Sequence, residues 1–552
     1  MVFSQDRLSL LVGPRGALRT TALRGARWLA LFALAFALNA GRGFDLSDEA
    51  WFLQVASRIA SGDALYREVF FGATPLSVYL TAAAVRALGA EVLVLKALVA
   101  AIFTATLAIS LALARRFGAT RRAEVAIGAA LFLFALPVDA PAYTPLANLF
   151  LLATLLAALG WIGHPAQGEE VDQRTAVDRK RTRAERLSQA APPEAGGVPG
   201  RWRLLVAGAL AGLCFGAKWN LGFFALAALA GTIAVAGRRR GGASRAVALA
   251  SSGFLATAAA SLLPVLLSGG FERFLEYGFF GKTVYVRLGS SSYLDELAML
   301  GRLALAPTRD PESLARWTRF LVPPIALFGL AAFWVRSRRD PRSTALGLFG
   351  VAAALGLFPN PILRHVTDVG PALIVGLAAA WASFKGPIGP RAAGLARVAA
   401  AAWLGLGLAA IAGKPVLDLA RGEVRPCAIP HFRGALVYVE DEQTLREAIE
   451  ALRPIAGERP FLLTPYASFF YLAAGIRNPT PFDYPLATPF GRRGQEDTIA
   501  AIERGEVRCV AWHSPPTENL RPETIERYLR ERMDGTERRG PWTVFRGRDG
   551  AH

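Results

Sequence analysis

The sequence predicts a polytopic α-helical membrane protein with about eleven transmembrane helices, additional juxtamembrane helices and a small C-terminal α/β domain. Of its 552 residues, 53% are hydrophobic and only 19% are charged, and the mean hydropathy is +0.33. Long apolar stretches therefore dominate the chain, which is typical of proteins that cross a bilayer many times. The runs that we expect to span are 27–41, 92–114, 123–138, 145–163, 203–218, 219–237, 246–268, 317–335, 343–358, 365–384 and 395–413.

Blocks of arginine predict the topology. The segment 75–89, PLSVYLTAAAVRALG, is short for a span, which needs about 20 residues, and it carries an arginine near its end. If this segment lies in the interface, every arginine block falls on the side of the N-terminus, which the positive-inside rule makes cytoplasmic. The outer side then holds the loops 42–91 and 269–316 and everything after about residue 414.

The same arginine blocks explain the formal net charge of +19. They lie between apolar runs, where lipid head groups and topology account for them, so we expect no nucleic-acid partner. The cytoplasmic linker 164–202 is charged and rich in proline and glycine, and we expect it to be disordered. Three cysteines exclude a disulfide framework, and Cys427 and Cys509 either form one disulfide or remain free thiols.

Residues 414–552 have the pattern of a separate periplasmic α/β domain that follows a membrane module, residues 1–413. Strand-like segments ALVYV, FLLT, VRCVAWH and WTVF alternate with helix-like segments EQTLREAIEAL, QEDTIAAIER and ETIERYLRERM. Alternation of this kind is typical of a small mixed fold. This part contains no clear catalytic constellation, so the loops of the membrane module are the better place for chemistry.

Three carboxylates stand at the start of an amphipathic helix in the loop 42–91. In DLSDEAWFLQVASRIASGD, Ser47 has the position of an N-cap, and apolar residues recur at helical spacing after it. Acids in a first helical turn either complement the helix dipole or do chemistry. Carboxylates crowded beside lipid raise one another's pKa, which suits a general base or a ligand for a substrate hydroxyl.

Further ionisable residues lie at the edges of the predicted outer loops. Asp139 stands with Tyr143 in a very short loop and is either solvated or close to the first acidic loop. Lys218 lies at an outer helix boundary, where it either snorkels or binds an anionic head group. Arg364 beside His365, in another short outer loop, favours phosphate binding.

Acids on one outer rim and cations on another suit one kind of reaction. A lipid-linked phosphosugar places its phosphate on the cations, while a carboxylate deprotonates the acceptor hydroxyl that attacks the anomeric carbon. The phosphate is the leaving group, so the displacement needs no nucleotide. We therefore expect no cofactor and no obligatory metal beside the lipid-linked donor.

The first half of the chain resembles the GT-C glycosyltransferases. The likeness rests on SDEAWFLQVASRIASGDALYREVFFGATPLSVYL and on a later span that ends in ARRFGATRRAEVAIGAALFLFALP. It continues through NPILRHVTDVGPALIVGLAAA and through FFYLAAGIRNPTPFDYPL in the C-terminal part. The branch that it resembles contains the dolichyl-phosphate-mannose protein mannosyltransferases and the lipid A aminoarabinose transferases.

This resemblance implies a role for several residues. Asp48 matches the first-loop acid that is catalytic in the family, Glu49 matches its neighbour and Asp139 matches the second-loop acid, while Asp45 is left as merely solvated. The segment GATPL stands where the aminoarabinose transferases have a lysine and two prolines. The sugar and the cation that holds the phosphate therefore stay open, with Arg67 or Lys218 as substitutes.

The leading hypothesis is an inverting glycosyltransferase of the bacterial inner membrane with a polyprenyl-phosphate monosaccharide as donor. Asp48 is the general base, and Glu49 and Asp139 orient the acceptor or the base. The donor phosphate is held by Lys218 and by Arg364 with His365. The acceptor is a lipid, a glycan or a protein. One alternative is a transporter or lipid flippase, but such proteins usually show internal repeats and polar residues at mid-span. A second alternative is a non-catalytic assembly protein whose C-terminal part binds partners.

Overall fold

The computed structural model describes most of the chain, with gaps in several loops and in the linker. It describes residues 14–136, 143–163, 201–237, 242–280, 340–358, 370–383, 390–491, 493–513, 521–533 and 536–547, and isolated positions between 284 and 335. The predicted disordered linker and the predicted span 317–335 lie almost entirely outside the described residues.

Helices make up the described part of the membrane module. They are α1 Pro14–Ala40, α2 Asp48–Ala60, α3 Leu76–Leu88, α4 Val92–Arg116, α5 Arg121–Phe134, α6 Tyr143–Ile162, α7 Arg201–Ala217, α8 Trp219–Gly237, α9 Ala243–Leu267, α10 Pro341–Leu355, α11 Gly370–Ser383 and α12 Pro390–Ala420. A short helical segment, Phe271–Arg273, and a π-helix, Phe274–Phe280, follow α9.

In the described part of the chain, five helices are long and apolar enough to cross a membrane. They are the Thr21–Ala40 part of α1, α4, α6, α8 and α9. The segment predicted to lie in the interface forms α3, whose 13 residues reach only about 20 Å, less than the hydrocarbon core. The chain is thus a multi-pass membrane protein, while the count of eleven spans stays a prediction. The last apolar helix, α12, ends at Ala420, seven residues beyond the expected 413.

Glycines bring α7 and α9 close together. A Cβ atom added at Gly208 would lie 1.8 Å from the carbonyl oxygen of Ala250, and one at Gly212 would lie 2.0 Å from the Thr257 hydroxyl. On the facing helix, a Cβ at Gly253 would lie 2.2 Å from the Leu205 carbonyl oxygen. Small residues four apart allow such contact between membrane helices, because lipid gives no hydrophobic drive for association.

Strands and helices follow one another after α12. Strands β1 and β2 form an antiparallel pair, and β3, β4, β6 and β5 form a sheet in that order, with β3 parallel to β4 and the other pairs antiparallel. The elements are β1 Val424–Pro426, β2 Leu436–Tyr438, α13 Val439–Leu452, β3 Phe461–Leu463, α14 Ala467–Ala474, α15 Gly494–Glu503, β4 Cys509–Trp512, α16 Glu523–Arg532, β5 Glu537–Arg539 and β6 Trp542–Arg546. All three cysteines of the chain are buried and free, so Cys427 and Cys509 form no disulfide.

This C-terminal part, here called the tail (residues 421–547), packs directly on the first loop (residues 42–91). The Phe70 N–H donates to the Pro481 carbonyl at 2.8 Å, and the Val92 N–H donates to the His431 carbonyl at 2.8 Å. Gly43 lies so close to β2 that a Cβ would meet the Leu436 oxygen at 2.8 Å, with a backbone φ of +79° that favours glycine. Both parts share one buried core, so the tail helps to position the first loop.

Candidate functional site

The start of α2 is organised by Asp45. Its carboxylate accepts hydrogen bonds from the Ser47 N–H at 2.6 Å, the Ser47 hydroxyl at 2.5 Å and the Asp48 N–H at 3.1 Å. Ser47 precedes the helix as expected, but its side chain makes no capping bond. Ser47 thus has the predicted N-cap position, but the prediction that its side chain caps the helix is wrong. The prediction that Asp45 is merely solvated is also wrong. Asp45 does the capping because its carboxylate reaches two free helical N–H groups at once.

Glu49 lies in a buried ion pair. Its carboxylate is 3.0 Å from the Lys96 ammonium, and both side chains are about 1% exposed. The second oxygen of Glu49 accepts from the Asp45 N–H at 2.9 Å, and Lys96 also donates to Asn39 at 3.1 Å. Helices α1, α2 and α4 thus meet at one buried charge pair. Removing one partner from such a pair leaves a buried charge, which typically costs about 3–5 kcal/mol.

Asp48 lies beside Tyr484, a residue of the tail. The Tyr484 hydroxyl is within hydrogen-bonding reach of Asp48 and Ser47. Burial raises the pKa of Tyr484, and the neighbouring Asp48 carboxylate raises it further. The phenol therefore stays protonated at neutral pH and is able to donate to Asp48. Unlike Glu49, Asp48 is only partly buried, which leaves it accessible to a substrate.

An aromatic wall, formed by Trp51, Phe71, Tyr143 and Tyr484, continues from Asp48. The ring of Trp51 is 5.1 Å from that of Tyr484 and 5.3 Å from that of Phe71, and Phe71 is 6.3 Å from Tyr143. The Trp51 indole nitrogen is buried and has no hydrogen-bond partner among the described residues. Buried indole N–H groups usually find an acceptor, so this nitrogen is an unsatisfied donor within the wall.

The wall leads to the helix ends that carry Lys218. Tyr143 begins α6, and one turn later the Ala147 carbonyl accepts from the Cys214 thiol at 3.2 Å. The Lys218 N–H donates to the Cys214 carbonyl at 2.8 Å, so Lys218 lies one turn further on, in the joint between α7 and α8. Tyr143 and Lys218 thus stand at adjacent ends of packed helices.

The other predicted site residues are placed differently. Arg67 is exposed and donates to the Ser268 carbonyl and to Glu68, both at 3.1 Å. Its guanidinium lines a groove between the first loop and the tail. Asp139, Arg364 and His365 lie outside the described residues, so their roles stay predictions.

Asp483 fixes the tail to α2. It is 1% exposed and accepts from Arg58 at 3.0 Å, from Gln54 at 3.3 Å and from Asn478 at 2.9 Å. Burial opposes the charge of Arg58, but Asp483 and Asp63 outweigh it and raise the Arg58 pKa. Because Asp483 directly precedes Tyr484, this network also sets the position of the phenol beside Asp48.

A large cavity opens next to the same loop. Its volume is about 1490 Å³, and its wall includes Phe44, Leu46, Lys414, Pro415 and Leu417. Leu46 is two residues before Asp48, and the α12 side of the wall is largely apolar. Among the described residues, no group of three His, Cys, Asp or Glu side chains is arranged to hold a metal ion. The expectation of a reaction without an obligatory metal stays a prediction.

Comparisons with known proteins identify the fold. No protein-family model matches the chain, and no curated protein matches it. Among solved structures, ArnT from Cupriavidus metallidurans bound to undecaprenyl phosphate is similar, with a TM-score of 0.53, 16% identity, and coverage of 94% of this chain and 97% of that one. The same protein in the apo state gives a TM-score of 0.51, 14% identity, and coverage of 95% and 98%.

An oligosaccharyltransferase from Archaeoglobus fulgidus, in complex with Zn and sulfate, is also similar. The TM-score is 0.50, the identity is 13%, and the match covers 88% of this chain and 68% of that one. At such identities the likeness concerns the fold alone. These similarities show a multi-pass membrane protein with the GT-C fold, so the resemblance found in the sequence is confirmed at the level of the fold.

Proposed function

We propose that this protein is a glycosyltransferase that moves a monosaccharide from a polyprenyl-phosphate donor to an acceptor hydroxyl at the outer face of the cytoplasmic membrane. The observation that carries the proposal is the position of Asp48. It stands partly exposed at the start of α2, beside Tyr484 and next to the buried Glu49–Lys96 pair, in a chain with the GT-C fold.

The residues suggest a division of roles. Asp48 accepts the proton of the acceptor hydroxyl, and the resulting oxygen nucleophile attacks the anomeric carbon. The bond from that carbon to the phosphate oxygen breaks, and polyprenyl phosphate leaves with the electron pair. Attack opposite to the leaving group inverts the anomeric centre. Glu49, held by Lys96, keeps the loop rigid so that Asp48 remains in place.

Lys218 is the preferred cation for the donor phosphate. Lys218 stands near the aromatic wall at the ends of α7 and α8, whereas Arg67 lies exposed in the groove between the first loop and the tail. In the prediction, Arg364, His365 and Asp139 complete the site. The cavity beside Leu46 supports a lipid-linked donor, because the α12 side of its wall is largely apolar. The ArnT structure, which contains undecaprenyl phosphate, also supports a donor of this class.

Sugar transfer by the purified protein tests the proposal. Wild type, Asp48→Asn and the control Glu450→Gln are incubated with a panel of radiolabelled undecaprenyl-phosphate sugars and membrane-derived acceptors. Glu450 is an exposed carboxylate of the tail that pairs with Arg453. Transfer by wild type and Glu450→Gln, with a loss of about 100-fold or more in Asp48→Asn, is expected for a general base. Full activity in Asp48→Asn would show that Asp48 is not the general base.

The proposed orientation has a separate test. A cysteine introduced at Glu450, which is 57% exposed in the tail, is expected to react with a membrane-impermeant maleimide on intact spheroplasts. A cysteine at Ser188 in the linker is expected to react only after lysis. The native cysteines are buried and give little background. The reverse pattern would place the tail in the cytoplasm and contradict the proposal.

A further inference from the structure

A second concave site lies at the far end of α2, between the first loop and the tail. We propose that this arginine groove binds an anionic saccharide, meaning a glycan with a carboxylate or phosphate on its sugar units. The groove encloses about 840 Å³ and is lined by five arginines: Arg58, Arg67, Arg459, Arg477 and Arg508. Nothing in the proposed transfer reaction uses the last three of them.

The carboxylates in the groove are already neutralised. Arg546 approaches Glu458 at 3.0 Å with two nitrogens, and Arg504 approaches Glu506 at 2.7 and 3.0 Å. These arginines lower the pKa of Glu458 and of Glu506, so both acids are ionised and occupied at neutral pH.

The remaining two acids of the groove are also paired. Asp63 binds Arg58 at 2.7 Å and lies 3.4 Å from Arg477, while Glu68 binds Arg67 at 3.1 Å. The lining holds five arginines against these four carboxylates, which leaves an excess of one positive charge, while Arg504 and Arg546 approach two of the acids from outside the lining. Such an excess in a concave surface attracts anions from a distance.

Two guanidiniums are free to bind a ligand. In the described part of the chain, no carboxylate pairs with Arg459 or with Arg508, and Arg508 makes one long contact, 3.4 Å, to the Gly505 carbonyl. Both are exposed and stand on loops of the tail that face the groove. A guanidinium binds a carboxylate or a phosphate with two parallel hydrogen bonds, so two of them define a spacing between anionic groups.

The lining favours a saccharide over a lipid or a protein. Apart from charged side chains, it consists of Asn478, Thr480, two prolines and a glycine, with no aliphatic or aromatic side chain. A lipid needs apolar surface for its acyl chains, and the centre of a protein interface is usually apolar. A polar cleft of this volume is within the range of sites that bind ligands of several rings.

The groove also lies at a useful distance from Asp48. Arg58 follows Asp48 by ten residues on α2, which is about 15 Å along the helix. An extended anionic saccharide anchored in the groove is long enough to present a hydroxyl near Asp48. In this role the saccharide is the acceptor, and that part of the inference rests on the proposed function.

Binding of a defined probe tests the inference. The full-length protein in detergent is titrated with fluorescent hexagalacturonate, which has one carboxylate on each sugar, and with its methyl ester, which has none. We expect the acid to bind at least tenfold more tightly than the ester and to weaken as salt rises. The variant Arg459→Gln/Arg508→Gln is expected to lose about tenfold in affinity for the acid.

The control variant is Arg532→Gln/Arg538→Gln, which removes two exposed arginines of the tail outside the groove, and it is expected to bind as wild type. Equal binding of the acid and its ester, or equal losses in both variants, would overturn the inference. So would binding to anionic phosphatidylglycerol vesicles that depends on Arg459 and Arg508 in the absence of saccharide binding. Asp48→Asn is expected to bind hexagalacturonate as tightly as wild type does. Binding in the groove is therefore measured independently of sugar transfer, and a failed transfer assay does not decide the outcome of the binding assay.

Discussion

The segment 48–68, which runs from α2 into the following loop, holds its charges in opposite ways at its two ends. At the first end, Glu49 and Lys96 form one pair that is about 1% exposed, while at the other end, beyond α2, Arg67 and Glu68 are 54% and 46% exposed. A buried pair has no water to replace a lost partner, whereas an exposed pair is largely screened. The first end is therefore suited to hold the proposed catalytic group in place. The second end is suited to attract a ligand through many weak and salt-sensitive contacts.

The largest difference between the two ends is expected on removal of the cation. Lys96→Met leaves Glu49 buried without its cation and is expected to lower the free energy of unfolding by about 3–5 kcal/mol. The matched change Arg67→Met at the exposed pair is expected to cost less than about 1 kcal/mol. Chemical denaturation of both purified variants measures the contrast. Equal losses would show that burial does not distinguish the two ends.

A smaller effect is expected from the link between α2 and the tail. Asp483→Asn removes the charge that holds Arg58 and is expected to destabilise the docked tail by about 2 kcal/mol, since hydrogen bonds to charged groups are worth about 1.5–3 kcal/mol. Limited proteolysis measures how often the tail opens. The control is Asp441→Asn, an exposed acid at the start of α13. Unchanged proteolysis of Asp483→Asn would mean that other contacts fix the tail.

Glu442 forms ion pairs that are intermediate between the buried Glu49–Lys96 pair and the exposed Arg67–Glu68 pair. The acid is buried, while its arginine partners are about half exposed. Burial opposes its ionisation, but the Ala428 N–H and the guanidiniums of Arg446 and Arg425 outweigh burial and lower the Glu442 pKa. Ionised Glu442 contributes fully to the free energy of unfolding above pH 4.5, the ordinary pKa of glutamate. This contribution is lost as the pH falls through the lower pKa that Glu442 has in the folded protein.

Thermal unfolding from pH 7 to pH 3 measures whether stability falls on acidification, as the lowered Glu442 pKa predicts. The wild-type protein is expected to lose stability on acidification, and Glu442→Gln is expected to start about 1–2 kcal/mol lower at pH 7 and to lose less between pH 5 and pH 3. Parallel curves for the two proteins would contradict the assignment.

The smallest effect is expected at Tyr484. Tyr484→Phe keeps the ring in the aromatic wall but removes the hydroxyl that reaches Asp48, and a single hydrogen bond of this kind is worth about 1 kcal/mol, or roughly fivefold in rate. Sugar transfer by the purified variant measures this loss. Transfer at the wild-type rate would show that the Tyr484 hydroxyl has no part in the reaction.

Sequence patterns predicted the local features of this site and missed the contacts between distant segments. The start of α2 and the short helix α3 follow from helical spacing and length. Lys96 lies inside an apolar run that we assigned to a span, and its partner Glu49 is 47 residues away, so spacing gives no sign of the pair. One charge in VLVLKALVA is the signal that points to a buried partner.

The contacts of the tail with α2 were even harder to predict from the sequence. Tyr484 and Asp483 reach α2 across more than 420 residues, which no periodicity encodes, although FDYPL lies in a segment that carries the family resemblance. At the start of α2 the sequence pointed to Ser47 as the cap, because serine is favoured there, while a carboxylate two residues earlier takes the N–H groups instead.

The most direct test of the account measures transfer and stability together in three proteins. Wild type, Asp48→Asn and Glu49→Gln/Lys96→Met are compared for sugar transfer from an undecaprenyl-phosphate donor and for the free energy of unfolding. The account predicts that Asp48→Asn retains wild-type stability and loses transfer by at least about 100-fold, because only its proton acceptor is missing. The paired variant is expected to remain folded and to lose transfer in part, because the loop is less rigid. Transfer at the wild-type rate by folded Asp48→Asn would contradict the central claim.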